Sequence, residues 1–277
     1  MMNKLNEFDF PAFQVAAIQM VSTPDLQENF DQADALIGEA ASKGATLVSL
    51  PEYFCFMGHK DHEKWAIKES TEEGGPIHTF LSECARRHGV WLAGGTMPLS
   101  QSADERVFNT ALVFAPDGKQ TARYDKIHLF KFSKGTESYD ESIAIRPGSE
   151  PVSFEMNGAR IGLSVCYDLR FPELYRALAK PALILVPSAF TFTTGKAHWE
   201  LLLRARAIEN QCYVLAAAQG GVHPNGRKTW GHSMLVDPWG DIVDVLPEGP
   251  GVVAGTIDPS RIADVRAALP ALQHRVM

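Results

Sequence analysis

FQVAAIQM at residues 13–20, DLQENFDQADALIGEAASKG at 25–44 and ATLVSL at 45–50 follow one another with almost nothing between them. The first and last are short apolar runs of the kind a buried strand shows. The middle segment places Leu26, Phe30, Ala33, Leu36, Ile37 and Ala40 on one helical face. Gly44 then stops the helix. A strand, a covering helix and another strand are the opening unit of an α/β fold, and the rest of the chain extends that unit.

Outward from it, IHTFLSECARRHG (77–89) predicts a second amphipathic helix and VWLAGGTM (90–97) a third strand. The pattern then changes to hairpins. TALVFAPDGKQTARY (110–124) and VSFEMNGARIGLSV (152–165) each set two strands around a Pro-Asp-Gly or Asn-Gly turn. Beyond these, PELYRALAK (172–180) predicts a helix, ALILVPS (182–188) a strand, AHWELLLRARAIENQ (197–211) a longer helix and YVLAAAQ (213–219) a strand. MLVDPWGDIVDVL (234–246) adds one more hairpin. So many strands, interleaved with helices and hairpins, point to two sheets with helices outside them, an α/β sandwich. No linker or low-complexity tract divides the 277 residues.

Composition narrows the function. A net charge of −7 excludes the basic footprint of a nucleic-acid or anionic-membrane binder, so a small-molecule substrate is expected. The opening MMNKLNEFDFPAF lacks an apolar leader pattern and no run is long enough to span a bilayer, which predicts a cytosolic protein. Cysteines at 55, 84, 166 and 212 have no CxxC spacing, so neither a disulfide framework nor a zinc knuckle is expected. His59 and His62 lack an evident third ligand, and no metal or other cofactor is assigned.

Three reactive residues each stand just past a predicted strand: Glu52 after LVSLP, Lys126 after TARYD and Cys166 after IGLSV. Strand ends of an α/β layer converge on one crevice. Cys166, in SVCYDLRFPELYRAL, sits at a strand-to-helix elbow that exposes its thiol and aims the Tyr167 N–H at a developing oxyanion. Cys84 and Cys212 read as core residues. Cys55, close behind Glu52, could line the same pocket but has no elbow. Lys126 beside Cys166 would favour a thiolate, and Glu52 between apolar walls and an ammonium could take and return a proton.

The segments PEYF around Glu52, YDKIHLF around Lys126 and CYDLRFPE around Cys166 together resemble the nitrilase superfamily of carbon–nitrogen hydrolases, over nearly the whole chain. That resemblance implies a four-layer α-β-β-α sandwich in one domain, 1–277, whose last residues from about 260 form a C-terminal arm. It also implies a second glutamate, which Glu141 in YDESIAIRPG fits, with Glu137 as the other candidate. The stretch PSAFTFTTGKAHWELLLRARAIENQCYVLAAAQGG with WGHSMLVDPWGDIV is similar to the branch of deaminated glutathione amidases, whereas FKFSKGTESYDE departs from the commoner linker after the lysine motif.

The same resemblance implies an amidase that forms a cysteine thioester at Cys166 and releases a carboxylic acid and ammonia. Glu52 is the acid/base, Lys126 and the Tyr167 N–H hold the oxyanion, and Glu141 orients Lys126 or the water. Arg170, Phe190, Thr191, Thr194 and His198 are the candidate substrate-binding residues, with a salt bridge to Glu173 as the competing role for Arg170 and a buried helix face for Trp199. Arg204 and Arg206 are expected to pair with carboxylates such as Glu209. Homodimers or higher homo-oligomers are implied. The alternatives are an omega-amidase acting on 2-oxoglutaramate, an N-carbamoyl amino acid hydrolase or a nitrilase, all sharing the three residues. Further off stand a papain-like hydrolase, which would need a histidine base, and a non-catalytic interaction protein.

Overall fold

Alternating residues of the first strand face two different cores. In β1 (Phe13–Gln19), Val15 and Ala17 pack against Ile161, Leu163, Leu185 and Val214 of a second sheet, while Ala16 and Ile18 pack against Phe30, Ile37 and Leu81 of two helices. The period of two in a strand makes this division, and a strand buried on both faces must be apolar throughout. The computed structural model describes residues 10–276 except 71–73, 101–105 and 136, and leaves out the side chains of Asp61 and Glu137.

Among the described residues the first sheet has nine strands: β1, β2 (Leu47–Ser49), β3 (Glu69–Ser70), β4 (Trp91–Ala93), β5 (Met97–Ser100), β6 (Val107–Phe114), β7 (Gln120–Asp125), β10 (Ile145–Arg146) and β17 (Gly251–Ile257). Strands β1, β2 and β4 run parallel, as crossover helices require. Antiparallel β17 borders β1, and β6 pairs with β4, β5 and β7 antiparallel and with β10 parallel. The second sheet is ordered β11 (Ser153–Met156), β12 (Ala159–Leu163), β13 (Leu183–Leu185), β14 (Tyr213–Ala216), β15 (Ser233–Val236) and β16 (Ile242–Leu246). A separate hairpin joins β8 (Lys131–Lys134) to β9 (Glu137–Asp140).

Helices α1 (Leu26–Ser42), capped by the Asp25 carboxylate on the Glu28 N–H, and α2 (Pro76–His88) cover the first sheet. Helices α3 (Pro172–Ala177) and α4 (Phe192–Asn210) cover the second, with Trp199, Leu203 and Ala207 buried. The layers are α-β-β-α. Helix α5 (Pro259–Ala268) occupies the first half of the C-terminal arm and buries Ile262, Val265 and Arg266. Among the described residues, no helix is long and apolar enough to cross a membrane.

Three departures from the sequence reading bear on the site. The predicted strand 90–97 is broken at Gly94–Gly95 into β4 and β5. Helix α4 starts five residues before the predicted 197, because the Thr191 hydroxyl accepts the Thr194 N–H and caps the turn ahead of it. Helix α3 ends at Ala177 rather than at 180, since Ala179 and Lys180 turn left-handed. Strand β17 and the β8–β9 hairpin carried no expectation.

Candidate active site

Glu52 sits on the turn after β2, and the break between β4 and β5 shapes that turn. Gly95 has φ 57°, and a Cβ there would lie 2.1 Å from the Pro51 carbonyl oxygen, so only glycine permits the close approach. The adjacent Thr96 hydroxyl accepts the Tyr53 N–H at 2.9 Å, and Gln219 Nε2 from the second sheet donates to the Glu52 carbonyl. The carboxylate itself is buried. Its Oε1 accepts from Asn109 Nδ2 and Lys126 Nζ, both at 2.9 Å, and its Oε2 from the Ala189 N–H at 2.9 Å.

Lys126 follows β7 and is fully buried. Its backbone is clamped to Asn109 and Gly148, and its ammonium meets both Glu141 oxygens, at 2.8 and 3.0 Å. Burial alone would pull this lysine's pKa down, but Glu141 and Glu52 outweigh it and hold the pKa well above the usual value. Burial likewise opposes charge on Glu141, yet Lys126 and the Phe130 N–H (2.7 Å) keep that carboxyl below its ordinary range. The Tyr53 hydroxyl donates to the same group at 2.9 Å.

Cys166 occupies the expected elbow, with φ 49° and its own N–H tied to the Pro187 carbonyl at 2.9 Å. The Tyr167 N–H lies in the first turn of the short 3-10 helix Cys166–Arg170, where backbone donors lack an intrahelical acceptor. The thiol shares the cavity wall with Glu52, and the charges of Glu52 and Lys126 both act on it. Burial, followed by the Glu52 charge, pushes its pKa well above the ordinary thiol value, and Lys126 offsets this only in part.

Asp168 holds the elbow and the lysine turn together. Fully buried, it accepts from the Val165 N–H (2.9 Å), the Tyr124 hydroxyl (2.7 Å) and the His128 N–H (3.0 Å), with His128 Nδ1 at 2.7 Å. Tyr124 and His128 flank Lys126 on either side. His128 also stacks on Phe171 at 3.7 Å. No histidine is among the described residues lining the cavity, which removes the base a papain-like hydrolase would need.

A cavity of about 520 Å³, counted to its open mouth, has Glu52, Glu141, Cys166 and Tyr167 in its wall, with Arg170, Phe190, Thr191 and Thr194 beside them. His198 does not line it. That side chain lies on another surface depression, and Arg170 Nη1 donates to its Nδ1 at 3.2 Å. Arg170 also stands over the rings of Tyr167 and Phe190, so it faces the cavity. Cys55 is buried beneath the Glu52 turn, its sulfur toward the Thr96 carbonyl, and lines nothing. Cys84 and Cys212 are core, and Trp199 is buried with its Nε1–H on the His232 carbonyl. Arg206 pairs with Glu209 and Arg204 with Glu200. The Glu137 side chain lies outside the described residues. Among those described, no three His, Cys, Asp or Glu cluster as metal ligands would.

Sequence reasoning missed Tyr53, Lys64, Asn109, Tyr139 and Arg227, of which all but Asn109 line the cavity. Tyr53 could have been suspected from its place beside Glu52. The others come from segments with no local sign of the site.

Residues 14–267 match the family described as carbon-nitrogen hydrolase. The chain is 42% identical over 270 residues to the deaminated glutathione amidase of Synechocystis, covering 95% of this chain and 98% of that one. It is 43% identical to the human deaminated glutathione amidase, covering 94% of this chain and 81% of the relative. Among solved structures, Saccharomyces cerevisiae Nit3, a member of branch 10 of the nitrilase superfamily, superposes with a TM-score of 0.86 at 31% identity, covering 96% and 97% of the two chains.

Proposed function

The chain belongs to the carbon–nitrogen hydrolase family, enzymes that cut carbon–nitrogen bonds other than peptide bonds, and from that premise we propose that it hydrolyses deaminated glutathione at Cys166. The observation that carries the chemistry is the convergence of the Cys166 thiol and the Glu52 carboxylate, drawn from two sheets, in the wall of one cavity, with the buried Lys126 ammonium 2.9 Å from that carboxylate. The full-length likeness to deaminated glutathione amidases supports the substrate.

The Cys166 sulfur attacks the amide carbon while its proton passes to Glu52. Glu52 stands beside the thiol in the cavity wall, where it can take that proton. The tetrahedral oxyanion is held by the Lys126 ammonium and the Tyr167 N–H. Glu141 fixes the ammonium in place, since both its oxygens bond Nζ. Glu52 returns the proton to the departing amine, leaving a thioester, and then takes a proton from the water that cleaves it. In deaminated glutathione the scissile nitrogen belongs to cysteinylglycine, so the amine released is that dipeptide and the acid is 2-oxoglutarate. Ammonia would come only from a primary amide such as 2-oxoglutaramate.

Arg170, over the Tyr167 ring and near Thr191 and Thr194, binds the keto-acid end of the substrate. Homodimers pair through the apolar surface made by Leu201 and Ile208 of α4 and the neighbouring Trp239, which are 71%, 48% and 51% exposed.

The test is cleavage of deaminated glutathione beside 2-oxoglutaramate, an N-carbamoyl amino acid and a simple nitrile, followed as 2-oxoglutarate or ammonia, with Cys166→Ala as blank. Preferred, Cys166-dependent release of 2-oxoglutarate from deaminated glutathione is expected. Preferred turnover of another of the four would overturn the substrate and leave the chemistry.

A further inference from the structure

An ionised carboxylate offers about four acceptor positions, shared equally between its oxygens. On Glu141 all four are taken: Oε1 accepts from Lys126 Nζ and the Tyr53 hydroxyl, and Oε2 from Lys126 Nζ and the Phe130 N–H. On Glu52 three are taken, since Oε1 accepts from Asn109 Nδ2 and Lys126 Nζ and Oε2 from the Ala189 N–H, each at 2.9 Å. Among the described residues no other N–H or O–H reaches either Glu52 oxygen, so the open position lies on Oε2.

The two Glu52 oxygens also face different ways. Ala189 lines the cavity together with Glu52 and Cys166, whereas neither Asn109 nor Lys126 is among the described residues lining it. Both are buried behind that wall, at 1% and 0% exposure. Oε1 is therefore turned to the interior and Oε2 to the substrate.

Asn109 belongs to β6, opposite Pro98 of β5, and its own carbonyl accepts the Lys126 N–H at 3.0 Å. One residue thus fixes the lysine turn through its backbone and the carboxylate through its side chain. Its amide faces Glu52 in one orientation, because turning it over would set Oδ1 against Oε1, acceptor against acceptor. In that orientation Oδ1 is buried, and among the described residues nothing donates to it. A buried carbonyl left without a donor costs stability, so packing alone would be better served here by a hydrocarbon side chain of the same branching. What the position supplies is a donor, and one that adds no second cation beside Lys126.

We propose that Asn109 is a positioning residue for proton transfer: together with Lys126 it fills Oε1 of Glu52, so that each proton Glu52 takes or returns is carried on Oε2. This rests on Glu52 as the acid and base, and adds the residue that decides which of its oxygens works. The sulfur–hydrogen bond of Cys166 breaks as sulfur bonds the amide carbon, and the proton goes to Oε2. It passes to the amide nitrogen as the carbon–nitrogen bond breaks, leaving the thioester. In the second half water bonds the thioester carbon and gives a proton to Oε2, which hands it to sulfur as the carbon–sulfur bond breaks. Throughout, Oε1 keeps both partners, because the carbonyl oxygen of a protonated carboxyl still accepts.

An ester with a good leaving group separates this role from packing, since a nitrophenolate departs without a proton. Asn109→Leu keeps the branching and removes the donor. In that variant the ratio of kcat/KM for deaminated glutathione to kcat/KM for the para-nitrophenyl ester of the same 2-oxoglutaryl group is expected to fall about tenfold. The same fall is expected with 2-oxoglutaramate as the amide. Amide and ester slowed by one factor, or neither slowed, would overturn the role of Asn109. Glu52→Gln measured alongside separates that failure from one beneath it: if Glu52→Gln still cleaves the amide at the wild-type rate, Glu52 is not the acid and base, and this inference falls too. Should Asn109→Leu not fold, Asn109→Ala removes the same donor and is held to the same ratio.

Discussion

Glu52 shares its two oxygens among Lys126, Asn109 and the Ala189 N–H, in the wall it shares with the Cys166 thiol. Glu52→Gln keeps the size but brings a donor to this array and cannot take the thiol proton. Single-turnover acyl transfer should drop about 100- to 10,000-fold, with Cys166 unacylated by mass spectrometry after brief exposure to substrate; undiminished acylation would remove Glu52 from the proton path. Asp168 is the complementary case, a positioning residue that binds Tyr124 and His128 around Lys126 and Val165 beside Cys166. Asp168→Asn should lower stability by about 1–3 kcal/mol and reduce kcat with little change in KM, read from thermal melts and steady-state kinetics. A KM effect alone would argue that it shapes binding. The three reacting residues were legible because each sits within three positions of the end of a strand, a local signal. Lys64, Asn109 and Arg227 were not, because what brings them to the site is the docking of Asn225 on Gly58 and of β6 on the lysine turn, contacts made across long stretches of chain.

At the level of elements, the turn after β2 and the elbow after β12 are held by backbone geometry that few side chains tolerate. Gly95→Ala would place a methyl on the Pro51 carbonyl at a left-handed φ, so the Glu52 turn must shift. Activity should fall at least as steeply as stability, because a displacement of about 1 Å at a reacting group can cost on the order of 100-fold in rate. Paired melting and kcat measurements on this variant check it; a melt shift with unchanged kcat would show that the turn does not set the carboxylate. The same break explains why the Gly-Gly-Thr of VWLAGGTM misled the strand reading: the apolar run is continuous in sequence, and only the close pass of Pro51 bends it. Helix α4 failed in the opposite way. Its first turn, Phe192–Gly195, is made of residues that ordinarily mark loops, and the Thr191 cap makes it helical. The buried strands β1 and β2 and the apolar face of α1, by contrast, are written in the local sequence and are found as expected.

On the scale of the whole molecule, the catalytic groups form a buried ionic cluster across the two sheets, Glu52 and Lys126 from one and Cys166 from the other, with Glu141 closing it. Removing one partner of such a cluster leaves a buried charge uncompensated, so Glu141→Gln should cost about 3–5 kcal/mol near pH 7. The pH dependence has a definite sign. Glu141 has a lower pKa folded than unfolded, so its contribution is present above the ordinary value of 4.5 and is lost as pH falls through the lowered one. Lys126 has a raised pKa, so its contribution is present below the ordinary 10.5 and lost only as pH rises through the higher folded value. Between these limits the cluster is at full strength, and the acid limb belongs to the carboxylate. Urea unfolding of wild type and Glu141→Gln at pH 7 and again near pH 4 should therefore show the gap between them narrowing toward acid. A gap of constant size would mean that Glu141 acts through shape rather than charge, and the ammonium it holds would then owe its position to Glu52 alone.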